Sequence, residues 1–310
     1  MAKKEQKKST KRFPYAYVTL FIIALAGFWW IKQEDIGRNW KDQIIHYIDN
    51  QDLATLESRF TVDQIVQQNR QVLLGSDLND SHSPKRTIQT STVVYYPYLL
   101  LNVKYATPQG SKEGMLLWGM NEGEVVLNTE TWAKTHGFRD CLDCKANRQD
   151  LKILQALAKY PQGLTLEEIQ KELGVEREEL ATWIESSKQK HLITQKGNSY
   201  QLHFENPRLL VLPQTQMNHP IVLKAQGTSI KAARRFSRNE IINLARNTFG
   251  NDFTIRSEEE IYLPVYRLTI LNPDESIQVS EWNALTGKKV SPTGSPQSAD
   301  SMNRLLDKMM

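Results

Sequence analysis

The only two cysteines of the 310-residue chain lie in one short segment, Cys141-Leu142-Asp143-Cys144, with His136 five residues upstream. Thiols at this spacing can do three things. They can close a disulfide, the plainest expectation outside the cytoplasm. They can act as a redox pair, if a helix N-terminus lowers one thiol pKa, and Lys145 with the helix after it offers that. They can join His136 as metal ligands, although a tetrahedral site would then take its fourth ligand from elsewhere, and two cysteines exclude a four-thiolate site. A second pattern, Ser187-Lys188-Gln189-Lys190, fits the Ser-x-x-Lys arrangement of a serine nucleophile. Its companion motifs are missing, and the serine is expected at a solvated helix end. There is no phosphate loop, no Gly-x-Gly-x-x-Gly and no His-Glu-x-x-His, and the 6 histidines are scattered. The side chains therefore point to a protein that is not an enzyme and holds no cofactor.

Charge narrows the partners. The formal +4 sits at one end. Residues 1–31 carry six basic groups and one acid, or +5, which leaves 33 basic and 34 acidic groups, or −1, in the other 279 residues. A neutral body lacks the basic footprint of a nucleic-acid binder. Phe13 to Ile31 is uncharged over nineteen positions, with Tyr15, Tyr17, Trp29 and Trp30 at its ends. That matches one membrane-spanning helix with aromatic belts, following a basic tail at 1–12 that stays in the cytoplasm. A cleaved signal peptide is the alternative, with Ala24-Leu25-Ala26 as its cleavage site. The expected location is a bacterial inner membrane, single-pass, with the N-terminus cytoplasmic and the body periplasmic.

The elements that would position these groups fall into three blocks. Residues 32–59 have an amphipathic pattern and are expected to form a juxtamembrane helix. From 148 to 205 the pattern gives three helices and a hairpin. Leu151, Leu154 and Ala158 share one helix face, and Thr165-Leu166-Glu167-Glu168 is a capping box. Leu180, Trp183 and Ile184 mark the third helix, and Tyr200, Leu202 and Phe204 alternate after a turn at Lys196-Gly197-Asn198-Ser199. This block resembles a winged helix-turn-helix, which often reads DNA. Its third helix, however, begins Glu176-Arg177-Glu178-Glu179 and would turn three carboxylates toward a polyanion. Nucleic acid is disfavoured, and Arg177, Glu178, Glu179, Glu185 and Lys188 become the candidate protein-docking residues.

Two further segments, 60–135 and 236–292, flank that block with one order of elements. Phe60 and Ile65 open a helix as Phe236 and Ile241 do. Tyr95-Tyr96-Pro97 matches Tyr262-Leu263-Pro264, and the intervals Trp118, Gly123, Val126 recur as Trp282, Gly287, Val290. Each reads as a helix on an antiparallel sheet, and the set as an internal repeat. The second, through Val265–Ile270 and Asn283-Ala284-Leu285-Thr286-Gly287-Lys288-Lys289-Val290, resembles PepSY and cystatin-like modules. That resemblance implies a binding or regulatory role. It departs from the family turn in having Asn283 for an aspartate and one extra residue.

The expected fold class is α+β: one N-terminal transmembrane helix and two helix-plus-antiparallel-sheet repeats flanking a winged-helix domain. A Cys-containing linker (136–147), a connector (206–235) and a flexible tail (293–310) complete it. A basic run, Lys224, Lys231, Arg234, Arg235 and Arg238, leads through the connector into the second repeat and is expected as a solvated face, with contact to anionic lipid or an acidic partner as the alternative. The implied function is a membrane-anchored, non-catalytic adaptor, attached through residues 13–31, that docks other envelope proteins. A membrane-bound transcription regulator and a PepSY-like regulator of an envelope enzyme are the alternatives.

Overall fold

Two runs rich in β-branched and aromatic residues form the spine of the molecule. The computed structural model describes residues 52–75, 86–204, 206–225 and 229–290, which apart from Asp52 belong to one unit, Leu53–Met310. Strand β2 (Thr87–Thr107) and strand β11 (Phe253–Leu271) run antiparallel from Tyr105 opposite Phe253 to Thr87 opposite Leu271. Their centre is Tyr96 opposite Leu263, so Tyr95 faces Pro264 and Pro97 faces Tyr262. Two prolines in the middle of a sheet need explaining, because each lacks a donor. The carbonyls of Pro97 and Pro264 accept from Met120 and Ala284 at 3.0 and 3.1 Å, on the edge away from the β2–β11 ladder. Each ring nitrogen points to that same edge, where the neighbouring strand changes, so no ladder bond is lost.

The sheet extends both ways from this pair, in the order β13-β12-β11-β2-β3-β4-β5. On one side lie β3 (Gly110–Gly119), β4 (Val125–Asn128) and β5 (Ala133–Lys134); on the other β12 (Ile277–Asn283) and β13 (Lys289–Val290). The two sides share their hydrogen bonds. Gly119 N donates to Glu124 O and Asn283 N to Lys288 O, both at 2.9 Å, and Gly123 N and Gly287 N close the same turns onto Gly119 O and Asn283 O at 3.0 and 2.9 Å. Leu99 faces Trp118 as Tyr266 faces Trp282.

The helices, however, are exchanged. β1 (Asp52–Leu56) lies parallel to β11, not beside β2, and β10 (Ile230–Lys231) lies parallel to β2. Arg59 and Phe60 then donate their N–H groups to Ala284 O at 3.0 and 2.9 Å, while Arg235 and Phe236 donate to Met120 O at 3.0 and 2.9 Å. Helices α1 (Val62–Gln68) and α2 (Arg70–Leu74) therefore bury Ile65 and Leu73 against Leu268, Ile270 and Trp282. Segments Phe138–Asp143 (α3), Arg148–Ala158 (α4), Leu166–Leu173 (α5) and Arg177–Gln189 (α6) precede the last helix, α7 (Arg238–Phe249). α7 buries Ile241, Leu244 and Ala245 in one core with Leu99, Leu101, Val103 and Trp118.

The three-helix block keeps its local signals. The Asn147 and Thr165 capping boxes open α4 and α5, and left-handed Gly174 ends α5. A small sheet in the order β6 (Leu164–Thr165), β8 (Ser199–Leu202), β7 (Ile193–Lys196) joins a strand between α4 and α5 to the hairpin after α6. Its core is continuous with that of α7 and β2, through Leu151, Leu154 and Ile184.

The expected fold class is thereby corrected on three points. The two flanking segments are not separate repeats around a separate domain: their strands share one sheet, each helix covers the other segment's strands, and the middle block shares their core. Among the described residues no helix is long and apolar enough to cross a membrane; the segment expected to cross, 13–31, lies outside them. Of the juxtamembrane helix expected at 32–59, the described end is the strand β1. Thr55 is fixed there by its place opposite Tyr262, with its hydroxyl donating to Tyr262 O at 3.0 Å.

Candidate functional site

Chain entering α3 turns at left-handed Gly137 (φ 117) and exposes backbone donors. Glu124 takes them. Its Oε1 accepts from Gly137 N at 2.9 Å and Arg139 N at 3.1 Å, and its Oε2 from the Thr135 hydroxyl at 2.6 Å. Burial pushes the Glu124 carboxyl above its ordinary pKa, although these three bonds and His136 pull it down. The N-terminus of α3 is thus satisfied by a built-in carboxyl group, and the helix after Lys145, α4, is closed by its own Asn147–Asp150 capping box.

Both cysteines are free thiols, Cys141 buried and Cys144 half-buried. Burial drives the Cys141 thiol well above its usual range, with Cys144 and the acids Asp140, Glu124 and Asp150 adding to it. Burial also pushes Cys144 up to about 11, partly offset by Lys190. Redox and metal chemistry both need thiolates, so this environment opposes both. His136 is exposed, its Nδ1 3.2 Å from Asn206 O and its ring edge-on to Phe204. Among the described residues no cluster of three His, Cys, Asp or Glu side chains is placed to hold a metal. The segment read as a linker is itself core: the Phe138 ring lies tilted 5.2 Å from that of Trp118.

Ser187 is not at a solvated helix end. It is fully buried and donates to Asp150 Oδ1 at 2.7 Å, while the Lys190 ammonium pairs with Asp150 Oδ2. Asp150 also accepts from Asn147 N at 2.9 Å in the α4 capping box. The Ser-x-x-Lys spacing therefore ties the end of α6 to the start of α4. Asp150 was missed as its partner, although Asn147-x-x-Asp150 is readable as a cap.

A second polar cluster escaped the sequence. Tyr98 donates to Glu122 Oε1 at 2.7 Å and Lys134 to Glu122 Oε2 at 2.5 Å, with Trp132 edge-on to Tyr98 at 5.5 Å. Burial first, and Glu122 next, hold the Tyr98 phenol protonated well above its ordinary range. The adjoining cavity is about 20 Å³, space for roughly one water. A carboxylate with both oxygens occupied beside so small a space is a packing network.

The docking candidates do lie outside. On α6, Leu180, Ile184 and Ser187 are buried, and Arg177, Glu178, Glu179 and Glu185 are exposed with Lys188 half-exposed. Arg177 pairs with Glu167 at 3.5 Å and Lys188 with Glu185 at 3.4 Å. Such exposed pairs contribute little, about 0–1 kcal/mol, and leave the charges available. The basic run is not one solvated face. Arg235 forks onto both Asp143 oxygens at 2.8 Å, Arg234 meets Glu260 at 2.6 Å and Arg238 meets Glu258 at 3.3 Å. Lys231 lies 5.1 Å over the Tyr262 ring, and Lys224 is half-buried on β9 (Ile221–Ala225). Acids far along the chain neutralise what the local sequence leaves bare.

No family model matches the chain, and neither does any curated protein or solved structure in the comparisons made.

Proposed function

We propose that the protein is a non-catalytic adaptor that docks partner proteins in a bacterial envelope assembly, with its body on the outer side of the inner membrane. The observation that carries this reading is the division of its polar groups. Half-buried Glu122 and the buried Glu124, Asp150 and Ser187 are consumed by bonds within the fold, while α6 turns Glu178, Glu179 and Glu185 to solvent. Glu176, Glu178 and Glu179 put three carboxylates at the start of that helix, where they repel a phosphate backbone and suit a protein surface. Three helices and a small three-stranded sheet between Arg148 and Leu202 support reading this block as a winged helix, used here for protein contact. The location rests on the sequence of residues 1–31. Alkaline phosphatase fused after Met310 should be active, and activity of a cytoplasm-only reporter instead would overturn it.

The docking surface is tested by reversing Glu178, Glu179 and Glu185 to lysine together. Surface changes of this kind shift stability by about ±0.5 kcal/mol each, so the melting temperature should hardly move. Partner capture after cross-linking in cells should fall, mainly through slower association. Undiminished capture, or salt-sensitive sub-micromolar binding of duplex DNA by the unmodified protein, would defeat the reading.

A further inference from the structure

Strand β12 has one edge on β11 and another that is only partly used. Asn283 N donates to Lys288 O at 2.9 Å, and Glu281 faces Val290 in β13. In an antiparallel ladder residues alternate between their two edges. Residues 283, 281, 279 and 277 therefore all turn their N–H and C=O groups away from β11. Among the described residues no strand pairs with Val279 or Ile277 on that side. Continuing β13 in register would set residue 292 opposite Val279. That residue is Pro292, which has no N–H to give to the Val279 carbonyl. In that register the Val279 carbonyl would have no donor opposite it.

The other half of the sheet indicates what such an edge takes. Met115 and Leu117 on β3 hold the places of Val279 and Glu281. There Thr215, from the connector, donates its N–H to Met115 O at 2.6 Å, while its hydroxyl accepts from Leu117 N at 2.8 Å and donates to Val126 O at 2.6 Å. An extended backbone covers the edge. The connector occurs once, between the two halves, and among the described residues β12 has no counterpart to it.

Instead β12 presents Ile277 and Val279, 69% and 55% exposed, on one face. The stretch Ser276-Ile277-Gln278-Val279-Ser280 has no charge and no proline, the usual devices that keep a strand edge from pairing. It is also self-complementary. A twofold axis through Gln278 places Ile277 of one copy opposite Val279 of the other, with about four backbone hydrogen bonds between them. The seam is confined to Ile277–Val279, because β13 already holds the same edge at Glu281, opposite Val290.

We propose that β12 is the seam at which two copies of this chain join, edge to edge and antiparallel, into one continuous sheet. The test uses the full chain. In a non-hydrogen-bonded antiparallel pair the Cα atoms are about 4.5 Å apart, within disulfide reach. Gln278→Cys should therefore give a covalent dimer on mild oxidation, and Gln195→Cys, an exposed control on β7, should not. In sedimentation velocity the wild-type chain should associate with increasing concentration. Val279→Lys should weaken that association about tenfold or more, with the circular dichroism and melting temperature unchanged. A wild-type chain that stays monomeric overturns the proposal. So does a dimer that survives Val279→Lys, or cross-linking of Gln278→Cys no better than the control.

Discussion

Glu124 shows how a single carboxyl can be both a cap and a liability. Its three hydrogen bonds fix the entry to α3, yet burial still leaves its pKa above the ordinary carboxylate value. A carboxyl whose folded pKa is raised holds its proton more tightly in the native state. Its stabilising contribution is fully present below the unfolded pKa and is lost as pH rises through the folded one. The melting temperature should therefore decline from about pH 4 upward through this group. Glu124→Gln keeps an acceptor oxygen for Gly137 and Arg139, and should flatten that decline in melts taken at several pH values. An identical slope in wild type and variant would show that the charge at Glu124 is not what the fold resists.

At the scale of elements, the two halves of the sheet turn through the same backbone shape but pack differently. Gly123 and Gly287 both have positive φ, 77 and 67, where a side chain is strained. At Gly287 an added Cβ meets nothing nearer than 3.4 Å. At Gly123 it would come within 2.8 Å of the Phe236 ring and 3.0 Å of the Arg139 backbone, because α7 and α3 close over that turn. Gly287→Ala should cost about 1–2 kcal/mol, the backbone penalty alone. Gly123→Ala adds an overpacking cost and should lose about 1–3 kcal/mol more. Urea unfolding measures both. Equal losses would mean that Phe236 moves aside freely and that α7 is not firmly seated on the first turn.

For the whole molecule, exchange of the helices makes the halves interdependent. A fragment ending at residue 235 keeps β2 and β3 but loses α7, the cover of Leu99, Leu101 and Trp118, and β11, the partner of β2 along its length. It should not fold alone, and adding residues 236–310 in trans should restore native circular dichroism and one cooperative melt. A fragment to residue 235 with a sharp melt of its own would refute that interdependence. What the sequence determined by itself is local. The capping boxes at Thr61, Asn147, Thr165 and Ser237 and the turns at Gly123, Gly197 and Gly287 depend on bonds spanning a few residues, so nearby side chains suffice to specify them. The tertiary structure alone decided that residues 52–56 are a strand, that Ser187 and Phe138 are core, that Arg234, Arg235 and Arg238 have acidic partners, and which helix covers which strands. Each of these depends on contacts between distant parts of the chain, up to 207 residues apart for Thr55 and Tyr262. Local periodicity reports that a face is apolar, but burial depends on which surface meets it, and that is settled only when the whole sheet closes.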